Sequence, residues 1–294
     1  MSARVLVVGD VMTDVIVVPE GPIVKGSDRR ATVRSRPGGS GANQAVWLGA
    51  MQAEVVFAAR VGADDLHMYE NYFRGLGVIP MLAGDRELPS GVLVTIVDPD
   101  GERSFLTDRG ANLNLSSTDL PGSLLDGIGM VMVSGYSFFA PGPRVAVQAL
   151  FAEARARGIA VAVDPASVGF LVEVGAAEFL EWTAGATAIF SNESEAEALT
   201  GAVGYQAQMR ALGERFETVL IKRGALGAAI GGRDGVRVEL PASSVSVVDT
   251  TGAGDAFAAG FIAAQLAGAD EAGALARGIA AGAKAVQSIG GQPG

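Results

Sequence analysis

Asp249-Thr250-Thr251-Gly252-Ala253-Gly254-Asp255-Ala256-Phe257 is the stretch from which the rest of the chain can be read. A β-branched run at 244–248 precedes it and reads as a strand, and an apolar helical pattern over 255–266 follows. Gly252 and Gly254 let the backbone turn without Cβ clashes, so successive N–H groups can converge on one point. Those donors open a helix, where the macrodipole adds about half a positive charge. The segment therefore reads as an anion site formed without a lysine. Asp255, at its mouth, suits a base that takes a proton from a hydroxyl as that oxygen meets a phosphoryl group. Taken alone, the same residues also fit a helix cap on an ordinary turn.

Outward from this stretch, short β-branched runs alternate with longer helical patterns. Strands are expected at 5–8, 55–58, 130–134, 160–163, 188–190 and 218–222, and helices at 42–51, 66–76, 143–157, 176–183, 193–200, 207–216, 255–266 and 270–287. That rhythm predicts βαβ units around a mostly parallel sheet with helices on both faces, a three-layer α/β/α body. Two segments break it. Residues 15–36 and 90–107 alternate like strands around turn signals (Pro19-Glu20-Gly21 and Asp98-Pro99-Asp100-Gly101) with no helix between. They are expected to form a small antiparallel β-lid, leaving 1–14, 37–89 and 108–294 as the body. A flap over the carboxyl ends of parallel strands covers the place where such folds bind ligands.

Composition narrows the function classes. A hydrophobic content of 49% suits a large core, and the net charge of −10 argues against nucleic acid or an anionic membrane as partner. With no cysteine there is no disulfide, thiolate metal site or thiol nucleophile. The apolar start is too short for a secretory signal, and the best apolar run, 256–267, is too short to span a bilayer, so a soluble cytoplasmic protein is expected. The P-loop, the protein-kinase motifs and a strand-to-helix G-x-G-x-x-G are missing, so any nucleotide phosphates need another device.

The 249–255 stretch resembles the C-terminal signature of the ribokinase (PfkB) family of carbohydrate and nucleoside kinases. Pro37-Gly38-Gly39-Ser40-Gly41-Ala42-Asn43-Gln44-Ala45 is similar to the family's N-terminal signature, and Gly9-Asp10-x-x-x-Asp14 to its early acidic motif. Asn192-Glu193-Ser194-Glu195 matches its Asn-x-x-Glu element, and Lys222-Arg223-Gly224 its nucleotide-binding turn. The resemblance implies a ribokinase-like fold and an ATP-dependent phosphotransferase. It makes Asp255 the base and Gly252, Ala253 and Gly254 the anion hole. Asp14, Gly38, Gly39, Ser40 and Asn43 would hold the substrate, and Asn192, Lys222, Gly224 and Thr251 the nucleotide. Asn192 and Glu195 would organise Mg²⁺ through water, a hard ion that prefers oxygen. Asp249, Thr251, Ser288 and Gly290 would form a monovalent cation site for K⁺. Each piece also has a plain reading: turn residues at Asp10 and Asp14, a glycine-rich connection at 37–41, a helix cap at Asn192, an exposed basic turn at Lys222.

Departures from the family pattern bear on the substrate. Ser40 stands where many ribokinases carry lysine. Arg109, in Asp108-Arg109-Gly110-Ala111-Asn112, resembles the arginine of fructokinases and keto-sugar-acid kinases, a fork for a carboxylate or several hydroxyls. Phe105, Tyr136, Phe138 and Phe139 are read either as stacking groups or as core, with core expected for at least two. His67, Trp47 and Trp182 are assigned no chemistry. The leading expectation is phosphorylation of a small sugar or sugar acid. The alternatives are a nucleoside kinase of the same fold and a non-enzymatic sugar-responsive binding protein. An exposed lid edge would suit a homodimer.

Overall fold

Val5, Leu6, Val7 and Val8 are fully buried, and they divide evenly between two cores. Val5 and Val7 face one side of the first strand, Leu6 and Val8 the other, as a two-residue period requires when both faces of a sheet are covered. In the computed structural model, which describes residues 4–97 and 103–293, this strand lies inside a large sheet. The strands are β1 (Arg4–Val8), β2 (Met12–Pro19), β3 (Ala31–Gly38), β4 (Val55–Gly62), β5 (Val78–Asp85), β6 (Gly91–Val97), β7 (Arg103–Asp108), β8 (Ile128–Ser134), β9 (Ala160–Asp164), β10 (Ala188–Asn192), β11 (Thr218–Lys222), β12 (Ala228–Gly232) and β13 (Gly235–Leu240). The helices are α1 (Ser40–Ala50), α2 (Leu66–Gly75), α3 (Pro141–Ala156), α4 (Val168–Val174), α5 (Ala176–Trp182), α6 (Glu193–Thr200), α7 (Tyr205–Gly213), α8 (Ala253–Leu266) and α9 (Glu271–Ala285).

Among the described residues the larger sheet has nine strands in the order β13-β12-β11-β10-β9-β8-β1-β4-β5. It is parallel from β5 to β11, and β12 and β13 extend it antiparallel. Helices α1, α2, α8 and α9 pack on one face and α3, α5, α6 and α7 on the other, giving the expected three layers. From β1 the chain turns to β4 and β5 on one side, then returns through β8 to β9, β10 and β11 on the other. The carboxyl ends of β1 and β8 therefore flank the switch point of the sheet, the usual ligand crevice of such a fold.

The smaller sheet has four described strands, in the order β3-β2-β6-β7. It consists of two antiparallel hairpins joined by a parallel pairing of β2 with β6, so the expected antiparallel sheet has one parallel seam. The expected turn at Asp98-Pro99-Asp100-Gly101 lies outside the described residues. Strands β5, β12 and β13 and the short helix α4 were not expected. In the other direction, 244–248 forms no strand. Two of its three valines are exposed (Val247 61%, Val248 51%), and the N–H groups of Val248 and Asp249 bond to the carbonyl of Val286 instead of a sheet edge. The alternation Ser-Val-Ser-Val there reflects a wall that turns apolar groups into a cavity. A network of Arg60, Asp85, Asn114 and Asp119 pins the chain where it leaves β5 for the small sheet and where it returns. Burial alone would raise the Asp85 pKa, but bonds from Arg60, the Leu88 N–H and Asn114 hold it well below the ordinary carboxylate range. Among the described residues no helix is long and apolar enough to cross a membrane.

Candidate active site

Glycines bring α1 and α8 against the strand ends. A Cβ on Gly41 would stand 2.6 Å from the Cα of Gly9, so only glycine lets the start of α1 rest on the end of β1. At the start of α8, Gly252 has φ +71°, and a Cβ there would stand 2.3 Å from the Cα of Gly291. Helix α1 begins at Ser40, two residues before the expected start at 42, so Asn43 falls in its first turn. Ser40, Asn43 and Gln44 share one helical face. That face meets Asp255, in the first turn of α8: Ser40 Oγ donates to Asp255 Oδ1 (2.7 Å), Gln44 Nε2 to the same oxygen (3.2 Å) and Asn43 Nδ2 to Oδ2 (3.0 Å). The carboxylate is thus held by another helix and does not cap its own.

Burial pushes the Asp255 carboxyl up to about 7; Asp164 adds to this, while the bonds from Ser40 and Asn43 and the charge of Lys222 oppose it. A group poised there accepts a proton at neutral pH. Asp14, on β2 of the small sheet, is likewise raised to about 7, first by burial, then by Asp10, with Arg36 opposing. Its Oδ1 is buried without a hydrogen-bond partner, as is Oδ1 of Asn43. Two unsatisfied acceptors in one pocket are costly unless a ligand's hydroxyls fill them.

Two cavities meet at this point. One, of about 500 Å³, is lined by Asp10, Asp14, Gly39, Ser40, Asn43, Arg109, Asn192, Glu195, Lys222 and the 250–255 turn. The other, of about 420 Å³, is more apolar; Val245, Val247, Phe257 and Ile279 line it with Gly224. Lys222, Gly224, Thr250, Ala253, Gly254 and Val286 line both, so the glycine turn forms the waist between them. Lys222 Nζ bonds Asp164 Oδ2 at 2.8 Å. Burial would lower the lysine's pKa, but Asp164, Glu195 and Asp255 outweigh it and hold the ammonium above its ordinary value.

Other expected residues take more structural positions. Asn192 and Glu195 form a reciprocal capping box: the Glu195 N–H donates to Asn192 Oδ1 and the Asn192 N–H to Glu195 Oε2, both at 2.8 Å. Both still line the larger cavity, and Glu195 is raised by burial, with Lys222 opposing. Arg109 Nη1 donates to Asp10 Oδ2 (3.2 Å), and its guanidinium lies 4.7 Å from the centre of the Tyr136 ring. Asp249 accepts from the N–H of Thr251 and of Gly290, both at 2.9 Å, tying the 249–255 turn to the loop after α9. Ser288 Oγ donates to the Ala285 carbonyl at 3.5 Å. Gly38 lies against Asp14, whose Oδ2 a Cβ would meet at 2.1 Å.

Of the aromatic candidates, Tyr136 lines the larger cavity, Phe138 is core, and Phe139 stacks at 5.0 Å on Phe170, which also lines the cavity. Phe105, two positions along β7 from the cavity residue Thr107, is 56% exposed and outside the lining. His67 is exposed on α2, and Trp47 is buried with its N–H on the Gly291 carbonyl. Sequence reasoning passed over Gln44, Asp164 and Phe170. Gln44 was legible as the residue one helical turn after Ser40, and Asp164 as an acid at the end of a buried strand. Asn112 was quoted without a role; its amide bonds the N–H and carbonyl of Val11 and the carbonyl of Arg109, fixing the Arg109 turn beside β1.

Comparison with known proteins shows the family and the fold. The profile of the pfkB family carbohydrate kinases matches residues 2–294. The bifunctional protein HldE of Shewanella sp. (strain ANA-3) is 30% identical over 290 residues, covering 92% of this chain and 57% of that protein. The chain thus spans little more than half the length of the curated relatives it matches. Among solved structures, adenosine kinase from Sinorhizobium meliloti superposes with a TM-score of 0.89 at 23% identity, covering 100% of this chain and 96% of that one, a likeness of fold. Aminoimidazole riboside kinase from Salmonella enterica, complexed with aminoimidazole riboside and an ATP analog, gives 0.78 at 27% identity, covering 98% and 95%.

Proposed function

The chain belongs to the pfkB family of carbohydrate kinases, and from that premise we propose that it transfers the γ-phosphate of ATP to a hydroxyl of a small sugar. The observation that carries this reading is Asp255: a carboxylate raised to about 7, gripped by α1, lining the polar cavity one residue beyond Gly254, which lines both cavities. ATP lies with its base in the apolar cavity and its phosphates toward the Gly252–Gly254 turn. The sugar lies in the polar cavity, its hydroxyls donating to the buried oxygens of Asp14 and Asn43. Asp255 takes the proton of the attacking hydroxyl as its oxygen bonds to phosphorus and the bond to the ADP oxygen breaks. The N–H groups of the glycine turn receive the charge on the phosphoryl oxygens. The small sheet, which supplies Asp14, closes over the sugar and excludes water.

The carboxylate and amide oxygens of Glu195 and Asn192 suit a hard divalent ion, and Mg²⁺ held by them through water would neutralise the triphosphate. Both Asp249 oxygens already accept backbone N–H groups, so a cation at the site expected from Asp249, Thr251, Ser288 and Gly290 would have to share them. A neutral sugar fits better than a sugar acid, because Arg109 is already bonded to Asp10 and an acid would have to displace that carboxylate. A nucleoside is the second reading, favoured by Tyr136 and Phe170 in the cavity wall. ATP consumption measured across sugars, sugar acids and nucleosides tests this. Turnover of neutral sugars is expected. Turnover of nucleosides alone would replace the first reading with the second, and tight sugar binding with no turnover of any compound would make the protein a binder.

A further inference from the structure

We infer that Lys222 is a catalytic residue, a cation handed from Asp164 to the phosphoryl group in flight. The inference rests on the kinase reading and concerns the side chain least explained by it, since a backbone anion hole needs no lysine.

Three observations meet on this residue. First, among the described residues lining either cavity the basic side chains are Arg109 and Lys222, and only Lys222 lines both. It therefore stands where a phosphoryl group must cross from one cavity to the other. Second, Lys222 Nζ lies 3.1 Å from where a Cβ on Gly254 would be, so the ammonium is packed against the glycine turn. Third, the charged side chains around it (Asp164, Glu195 and Asp255) are all acidic. A triphosphate entering that ring meets repulsion that one fixed cation offsets. The ammonium stays protonated there, because the surrounding carboxylates outweigh the cost of its burial.

The 2.8 Å bond to Asp164 gives the device its logic. Without nucleotide the lysine is paired, so no bare charge is buried. With nucleotide, one of its three N–H donors stays on Asp164 while the others turn to the phosphoryl oxygens. The contact strengthens as charge develops on those oxygens, and only an interaction of that kind accelerates the step. A purely structural pairing predicts something different: neutralising both partners together should then be harmless.

Lys222→Met in an Asp164→Asn background tests this, because both members of the ion pair are neutralised together and folding can be checked by thermal melting. Relative to Asp164→Asn alone, kcat should fall roughly a hundredfold or more, with the sugar KM changed only a few-fold. In calorimetry without turnover, the Asp164→Asn protein should bind a non-hydrolysable ATP analogue more tightly than ADP, and the double variant should lose that preference. A double variant that keeps kcat within a few-fold and keeps the preference would overturn the proposal. Should the parent protein turn over no acceptor, the kinase reading fails by itself. The analogue-against-ADP comparison still decides whether Lys222 meets the terminal phosphoryl, and equal binding in the parent would count against it.

Discussion

Replacing Asp255 with Asn should stop turnover and at the same time make the protein harder to melt, and the two effects have one cause. The folded chain holds a proton on Asp255 up to about pH 7, whereas the unfolded chain releases it near the ordinary value of 3.8. Between those values the folded state binds more protons, so stability falls as pH rises through the window and the full penalty stands above it. At about 1.4 kcal/mol per pH unit, the interval amounts to roughly 4 kcal/mol before screening. Water in the open cleft reduces that to about 2–3 kcal/mol. The substituted amide keeps the bonds from Ser40 and Gln44 through its oxygen, and Asn43 restores the third by turning its own unpartnered Oδ1 toward the new N–H. For a chain of this size the gain corresponds to a melting point higher by roughly 3–5 °C. Thermal melts of both proteins at pH 8 and pH 5.5 measure it. The gap should be largest at pH 8 and about half as large at pH 5.5, from the titration of one group between the two values. Other acids titrate in both proteins and cancel in the difference. Turnover should fall by about 10²–10⁴, with sugar binding kept through Asp14 and weakened only by the turned Asn43. A variant that is less stable at pH 8, or a gap that ignores pH, would refute the claim that burial holds this carboxyl protonated. Near-normal turnover would refute its role as base.

The same arithmetic reaches Asp14, also raised to about 7 and needed in its ionised form to accept sugar hydroxyls. As pH falls through 7 both acids become protonated, so log(kcat/KM) should drop with a limiting slope near two in the wild type and near one in Asp14→Asn, read from initial rates between pH 5 and 8. Gly252→Ala puts a Cβ 2.3 Å from the Gly291 backbone at a left-handed φ. It should cost about 1–3 kcal/mol in denaturant unfolding and lose at least tenfold in kcat, since the anion hole must shift. Asp85→Asn removes one of the two carboxylates that Arg60 pairs with, from a side chain only 1% exposed, and leaves the guanidinium with Asp119 alone. Urea unfolding should show a loss of about 3–5 kcal/mol, and little change would mean that the network at the small sheet's junction is not a strong one.

The sequence by itself determined the layers and the strand-end location of most of the chemistry, because both follow from local rules. Valines buried on both faces and helices between them admit a parallel sheet, and polar residues at strand ends then fall at its carboxyl edge. It also marked Gly252 and Gly254, since a tight turn into a helix has a local cause. What it could not decide depended on neighbours distant in sequence. Whether Asp255 capped its own helix or faced another was settled by α1, more than 200 residues away, whose Ser40, Asn43 and Gln44 take up the carboxylate. The run at 244–248 has strand alternation but pairs with no strand; its end bonds to the Val286 carbonyl, and Val245 and Val247 line a cavity. Arg109 looked like a free fork until tertiary packing set it against Asp10 and Tyr136, which neutralises its charge. Lys222 changed most. As a residue of a turn it was indistinguishable from an exposed base, and only the fold buried it among three carboxylates at the waist of two cavities. Propensity and period are carried by neighbours along the chain, whereas burial, charge pairing and pKa belong to groups that meet only when the chain has folded.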